Sequence, residues 1–255
     1  MIPVVLHHGL FGYDEIKLGS KRISYFLGID KAILDRGHPL IVPRVHPCGA
    51  TAKRAGQLKK TILDQLRAMD RASERVVIIA HSLGGLDARY MLSKLEMADR
   101  VAALVTITTP HRGSPYADWV VRNVGRRMGG LRMMQLLGID VGGILDLTTE
   151  NCSRFNDEIT DVPGVRYYSV SAARPRNQVP AFAQHAHRTV YEAEGDNDAL
   201  VSIKSSTWAN HLGVWPADHW HTINRRRNSP RDTTGDIAPY YLGVLDQLKR
   251  QGVWN

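Results

Sequence analysis

The sequence predicts an α/β fold, with a mostly parallel central sheet flanked on both faces by helices. Short apolar runs alternate with stretches of helical period along the chain. The two strongest runs, residues 75–80 and 101–108, are apolar at consecutive positions and not only at alternate ones, as expected for strands buried on both faces. No internal repeat, low-complexity tract or Pro/Gly/Ser-rich linker divides the 255 residues, so a single domain spanning 1–255 is expected.

Each element has a local reason. Residues 4–6 form a short β-branched run that ends at His7-His8-Gly9, and residues 39–45 form a second apolar run. Ala55, Leu58, Ile62, Leu66 and Met69 recur at spacings of three and four, which is one face of an amphipathic helix with Lys59 and Lys60 outside it. Arg75-Val76-Val77-Ile78-Ile79-Ala80 is the clearest buried strand. Residues 83–95 read as helix, 101–108 as another buried strand and 165–170 as a later one. Ile237, Tyr240, Tyr241, Val244, Leu245 and Leu248 mark a closing amphipathic helix.

Composition narrows the function. Hydrophobic residues make up 43% and charged ones 23%, ordinary globular values that exclude disorder. No apolar run approaches the ~18 residues a membrane span needs. Lys and Arg number 33 against 25 Asp and Glu, a formal net charge of +8. The basic residues are scattered, with Arg225-Arg226-Arg227 the densest run, and no Arg/Lys-lined helix or aromatic RNA-binding segment accompanies them. They suit a solvated or anion-attracting surface, and nucleic acid is not an expected partner. Cys48 and Cys152 cannot build a disulfide framework and lack a Cys-x-x-Cys spacing, so free thiols are expected. The start, Met1-Ile2-Pro3-Val4-Val5-Leu6, has neither the basic nor the cleavage-site pattern of a secretory leader. A cytoplasmic protein is the expectation if the chain is full length, and a secreted one if a leader has been removed.

The chemistry concentrates at Ala80-His81-Ser82-Leu83-Gly84-Gly85, a G-x-S-x-G pattern with Ala in the first small position. A serine on a sharp strand-to-helix turn sits in a strained backbone conformation, and bulky residues two positions either side would clash. The turn lifts the hydroxyl above the sheet and aims a helix N-terminus at it, which favours a developing oxyanion. An ordinary helix N-cap serine is the plain alternative, but the flanking strand and amphipathic helix favour a nucleophile. A serine hydroxyl needs a histidine base and an orienting carboxylate, in the chain order Ser, Asp, His. Gly195-Asp196-Asn197-Asp198 and Asp218-His219-Trp220-His221 follow downstream. From order alone, either Asp196 or Asp198 could be the acid and either His219 or His221 the base. One oxyanion donor belongs to the residue after the nucleophile, Leu83, and a second to the loop after the first strand.

Five segments, in order, resemble the bacterial true lipases, the triacylglycerol lipases of the α/β-hydrolase fold. They are His8-Gly9-Leu10-Phe11-Gly12-Tyr13-Asp14, the Ala80–Tyr90 segment around Ser82, Thr109-Pro110-His111-Arg112-Gly113-Ser114, Asn197-Asp198-Ala199-Leu200-Val201, and Asp218-His219 through Asn224. The resemblance implies Ser82 as nucleophile, Asp198 as acid because it follows Asn, and His219 as base because it ends an Asp-His pair. It also implies Leu10, the residue after His-Gly, as the second backbone oxyanion donor. Members of that family often hold calcium, partly through an Asp two residues after the catalytic His. His221 stands there in this chain, and no partner Asp precedes the acid loop. The expectation is therefore no metal and no cofactor. Nor do Cys48 and Cys152 fall where secreted members place a disulfide.

Residues 114–150 interleave apolar and basic side chains, among them Trp119, Met128, Leu131, Met134 and Leu137 between Arg122, Arg126, Arg127 and Arg132. A cap or lid inserted at about 114–160 is expected, with those five as acyl-pocket candidates. A packed helical subdomain that never moves is the plain alternative. Together these features imply a serine carboxylic-ester hydrolase, a lipase meeting lipid or ester substrates at a lipid–water interface. A short-chain or polyester esterase or acyltransferase on the same triad is the runner-up, and a catalytically idle binding module is the reading from another class.

Overall fold

The computed structural model describes residues 1–18, 21–126, 130, 133, 136, 140–225 and 235–254. In chain order it runs β1 (Val4–His7), β2 (Glu15–Leu18), β3 (Lys21–Ser24), α1 (Ile29–Asp35), β4 (Leu40–Ile41), α2 (Thr51–Ala68), β5 (Val76–His81), α3 (Leu83–Lys94), β6 (Val101–Ile107) and α4 (Pro115–Val120). There follow α5 (Gly142–Asp146), α6 (Thr149–Glu158), β7 (Arg166–Ala172), α7 (Gln184–Glu194), α8 (Ile203–Ser206), β8 (Asn210–Trp215) and α9 (Ala238–Arg250). Six strands form one sheet in the order β4-β1-β5-β6-β7-β8, and every neighbouring pair is parallel.

The period-2 alternation of the strands separates two cores. Val4 and Leu6 of β1 and Val77 and Ile79 of β5 point to one face, where Phe26, Ile29, Ile33, Tyr241 and Leu248 from the region of α1 and α9 cover them. Val5, Ile78 and Ala80 point to the other, against Leu58, Ile62 and Leu66 of α2 and Ala88 and Met91 of α3. These side chains are fully excluded from solvent. Each large aliphatic one contributes roughly 1.5–3 kcal/mol by leaving water.

Strand order also explains where a site can form. The chain places β4 on one side of β1 and then β5 on the other. That is a switch in winding direction, and it leaves a crevice at the carboxyl ends of β1 and β5 where the two following loops diverge. His8-Gly9-Leu10 leaves one strand there and Ser82 leaves the other.

Several elements differ from the sequence expectations for identifiable reasons. The 39–45 run pairs only over Leu40–Ile41, because Pro39 and Pro43 have no N–H for a ladder. β8, Asn210 to Trp215 at the sheet edge, opens on Asn210 and His211, is interrupted by Gly213 and is buried only at Trp215, so it lacks the continuous apolar signal of an inner strand. The antiparallel hairpin of β2 and β3 and the helix α7 were equally without an apolar run to announce them. The 114–160 region holds α4, a π-helical turn over Val121–Arg126, α5 and α6. Asp118 of α4 accepts the backbone N–H and the hydroxyl of Thr149, at 2.9 and 2.7 Å, and so ties α4 to α6.

Both cysteines are free. Cys152 is buried on α6, its Sγ 3.3 Å from Pro110 O and 3.2 Å from Asp146 O, and burial pushes its thiol up to about 12. Partial burial also raises the thiol of Cys48. Because the thiolate is the reactive species, Cys152 should resist a disulfide reagent at pH 8 in the native protein. No more than one thiol should then titrate before denaturation and two after it; rapid titration of two thiols in the native state would contradict this burial.

Candidate active site

Ser82 sits between the end of β5 and the first residue of α3 with φ 55° and ψ −131°. A non-glycine residue there stores about 1–3 kcal/mol of backbone strain, which persists only where the surroundings over-determine it. They do so here. The Ser82 N–H donates to Ile107 O at 2.9 Å, and its carbonyl accepts from Gly85 N–H at 3.0 Å and from the Thr109 hydroxyl at 2.8 Å. A Cβ at Gly85 would collide with that Thr109 hydroxyl, so the small residue after the turn is a steric requirement.

The loop after β1 passes directly over the serine. A Cβ added at Gly9 would lie 2.7 Å from Ser82 Cβ and 3.3 Å from its Oγ. Leu10 follows that contact. Leu83 opens α3, where first-turn N–H groups have no intrahelical acceptor. The loop is held from below by a buried ion pair. Arg54 of α2 donates through Nε to Asp87 at 2.8 Å and through its guanidinium to His46 O and His8 O, each at 2.7 Å. His7 Nε2 meets the same Asp87 oxygen at 2.8 Å.

The structure brings Ser82, His219 and Asp198 into one hydrogen-bonded line. His219 Nε2 lies 3.0 Å from Ser82 Oγ, and Nδ1 lies 2.6 Å from Asp198 Oδ2. The other Asp198 oxygen accepts the N–H groups of Leu200 and Val201 at 2.9 and 2.7 Å, while the His219 N–H donates to Asp198 O at 2.8 Å. Of the two candidate acids, Asp196 is exposed, whereas Asp198 is fully buried. Of the two candidate bases, His221 is buried elsewhere, with Nδ1 2.7 Å from an Arg174 nitrogen and Nε2 2.7 Å from Gly235 O.

His81 links these groups in a way the sequence did not announce. Its Nε2 lies 3.0 Å from the Thr222 hydroxyl, and its Nδ1 lies 2.9 Å from Tyr25 OH. The Thr222 hydroxyl proton is spent on His219 O at 2.7 Å. Its oxygen therefore accepts from His81 Nε2–H, which leaves Nδ1 to accept from Tyr25; this tautomer is assigned from the network. Burial first, and then the neighbouring His219, hold the His81 imidazole well below its usual range, so it stays neutral 4.6 Å from the His219 ring. Burial likewise takes His8 down to about 3.

A cavity of about 550 Å³ opens above Ser82 and His219. Leu10, Tyr116, Val120, Ile144, Leu147 and Trp220 give it mainly apolar walls. Phe11 and Phe182, 62% and 57% exposed, stand at its edge, and Phe182 packs edge-on against Trp220 at 4.8 Å. Among the acyl-pocket candidates, Trp119 is not on the wall. At about 100° per residue it falls on the flank of α4 next to Tyr116, away from Ala117 and Val120. It stacks instead on Tyr116 at 5.7 Å and meets His185 edge-on at 4.7 Å. Met128, Leu131, Met134 and Leu137 lie outside the described residues.

The buried imidazoles make stability pH-dependent. His7, His8, His81 and His111 all have folded-state values below 6.5, with burial as the largest cause. The unfolded chain then binds more protons below pH 6.5, so their contribution is fully present above that pH and is lost as pH falls. Each removes up to about 1.4 kcal/mol per pH unit. The raised carboxyls of Asp146, Asp161 and Asp218 pull the other way at lower pH. The urea midpoint should therefore drop between pH 7.5 and 5.5; an unchanged midpoint would mean that these rings are open to solvent.

The model of the PGAP1-like alpha/beta domain family matches residues 55–203. Triacylglycerol lipase 2 of Saccharomyces cerevisiae is 31% identical over 94% of this chain and 79% of its own length. The triacylglycerol lipase of Pseudomonas fragi is 35% identical over 98% of this chain and 97% of its own. The crystal structure of the mature Bacillus licheniformis lipase superposes with a TM-score of 0.73 at 19% identity, covering 96% of this chain and 91% of that one, and so shares the fold. With the parallel sheet, the serine turn and these similarities together, the chain belongs to the PGAP1-like α/β-domain family and to the lipases of the α/β-hydrolase fold.

Proposed function

We propose that the protein is a serine carboxylic-ester hydrolase, a lipase that cleaves acylglycerol esters through an acyl-enzyme at Ser82. The observation that carries this reading is the Ser82–His219–Asp198 line, with links of 3.0 and 2.6 Å, at the floor of an apolar cavity. Ser82 Oγ attacks the ester carbonyl while His219 Nε2 takes its proton. Asp198 holds the Nδ1–H side of the ring and stabilises the imidazolium. The N–H groups of Leu10 and Leu83 receive the oxyanion, a contribution worth about 10²–10³ in rate per donor in such sites. The protonated His219 then gives its proton to the departing alcohol. Water repeats the sequence on the acyl-enzyme, releasing the carboxylic acid and the free serine.

The walls point to the acyl partner. Residues on both sides of the 127–139 segment, Tyr116 and Val120 before it and Ile144 and Leu147 after it, face the cavity and support a cap over an acyl groove. The exposed Phe11 and Phe182 support contact with a lipid surface, where aromatic side chains are stabilised at the boundary of the two phases.

Hydrolysis of p-nitrophenyl esters from acetate to palmitate, with Ser82→Ala as control, tests this reading. A maximum at eight carbons or longer is expected, and Ser82→Ala should lose at least ~10³-fold in kcat. A maximum at two to four carbons would make the protein a short-chain esterase on the same triad. Rate without any dependence on Ser82 would remove the assignment. Asp198→Asn should cost about 10⁴-fold, as loss of the orienting acid does elsewhere, whereas Asp196→Asn should be close to wild type.

The cap makes a separate prediction. If it opens on lipid, the rate on a sparingly soluble ester should jump above the solubility limit. A smooth saturation curve through that limit would leave the cap as a fixed wall.

A further inference from the structure

Arg174 lies just after β7 and is 6% exposed, yet the triad does not use it. Its guanidinium is aimed at the loop that carries His219. One terminal nitrogen lies 3.3 Å from Asp218 Oδ2; the other donates to Pro216 O at 2.9 Å and to His221 Nδ1 at 2.7 Å. Pro216, Asp218 and His221 thus bracket His219 on both sides in the chain. The second Asp218 oxygen accepts the N–H groups of Trp220 and His221, each at 3.0 Å, so this carboxylate also shapes the turn that follows. From the other direction, the Arg174 N–H donates to Asn197 O at 3.1 Å, next to Asp198. One residue therefore grips both the acid loop and the base loop.

These partners do not suit calcium. A calcium ion needs six to eight oxygen ligands. The position two residues after His219 offers an imidazole already engaged at both nitrogens, and a fixed positive charge sits against the neighbouring carboxylate. Among the described residues no three His, Cys, Asp or Glu side chains gather as a ligand set. A dication would meet the guanidinium where it should meet anions.

We propose that Arg174 is a positioning residue for His219, its guanidinium serving as a built-in cation that holds the loop around that imidazole against the acid loop. That cation is buried and folds with the chain. It acts by fixing the angle at which His219 meets Ser82, and touches neither the substrate nor the reacting atoms. A misplacement of about 1 Å at a catalytic group can cost roughly 10²-fold in rate, which sets the size of effect expected.

The inference rests on the proposed triad, so Ser82→Ala is run beside every variant. Arg174→Ala should lower kcat by about 10²-fold with KM nearly unchanged, and Arg174→Lys should recover only part, because one ammonium cannot span three acceptors set in a fork. In the wild type, neither a calcium chelator nor added calcium should change kcat or the melting temperature. If Arg174→Ala does not fold, Asp218→Asn replaces it: the amide oxygen still accepts the two backbone N–H groups but the ion pair is gone. A fall in kcat without a change in KM is expected there too. Wild-type kcat in the folded Arg174→Ala, or in Asp218→Asn where that variant replaces it, overturns the proposal, even with a lowered melting temperature. So does a wild type that loses activity or stability to a chelator and regains it with calcium. Full activity in Ser82→Ala would instead sink the triad itself.

Discussion

The backbone turn at Ser82 is the constraint on which the other features depend. A residue with φ 55° survives there because its N–H and carbonyl are held from β6 and from Thr109, and because Gly85 leaves room for that threonine. The same turn makes Gly9 necessary, since a Cβ at that position would press into the serine. The parallel sheet supplies the two strand ends from which these loops rise, and its switch of winding direction keeps them apart enough for a substrate to enter. Arg54 and Asp87 fix the loop from beneath as a buried pair. Removing one partner of such a pair costs about 3–5 kcal/mol.

A second theme is the management of histidines. Five of them, His7, His8, His81, His219 and His221, crowd the carboxyl ends of β1 and β5 and the loop after β8. Burial holds His7, His8 and His81 in their neutral forms, so none of these three rings adds a positive charge beside His219. His219 alone joins a carboxylate on one nitrogen to the serine hydroxyl on the other. His221, only two residues away, has its two nitrogens taken by Arg174 and Gly235 O. Identical side chains thus separate, through their surroundings, into one ring aligned with Ser82 and several held in structural hydrogen bonds.

The cavity joins this polar floor to apolar walls. The wall comes from segments far apart in sequence: Leu10 on the loop after β1, Tyr116 and Val120 from α4, Leu147 before α6, and Trp220 beside His219. An ester is amphipathic in the same sense, with a polar reacting centre and an apolar chain. A dry wall also strengthens every electrostatic contact made to the reacting carbonyl.

The sequence alone determined what local rules control. Apolar continuity marked β5 and β6, helical period marked α2, α3 and α9, and the Ala80–Gly85 pattern marked the strand–turn–helix, because each depends on neighbours within a few residues. Order in the chain narrowed the acid and the base to two pairs but could not divide them; the resemblance to a family was needed there. What separates His219 from His221 is which ring faces Ser82 across more than 100 residues of chain, and what separates Asp198 from Asp196 is which carboxylate meets that ring. Helix phase put Trp119 on the flank of α4, which an apolar tally could not foresee. Edge strand β8, the hairpin and the Arg174 clamp were invisible for a related reason. Their residues form no continuous apolar run or stand isolated in sequence, and only the packed fold supplies the partners that give them a role.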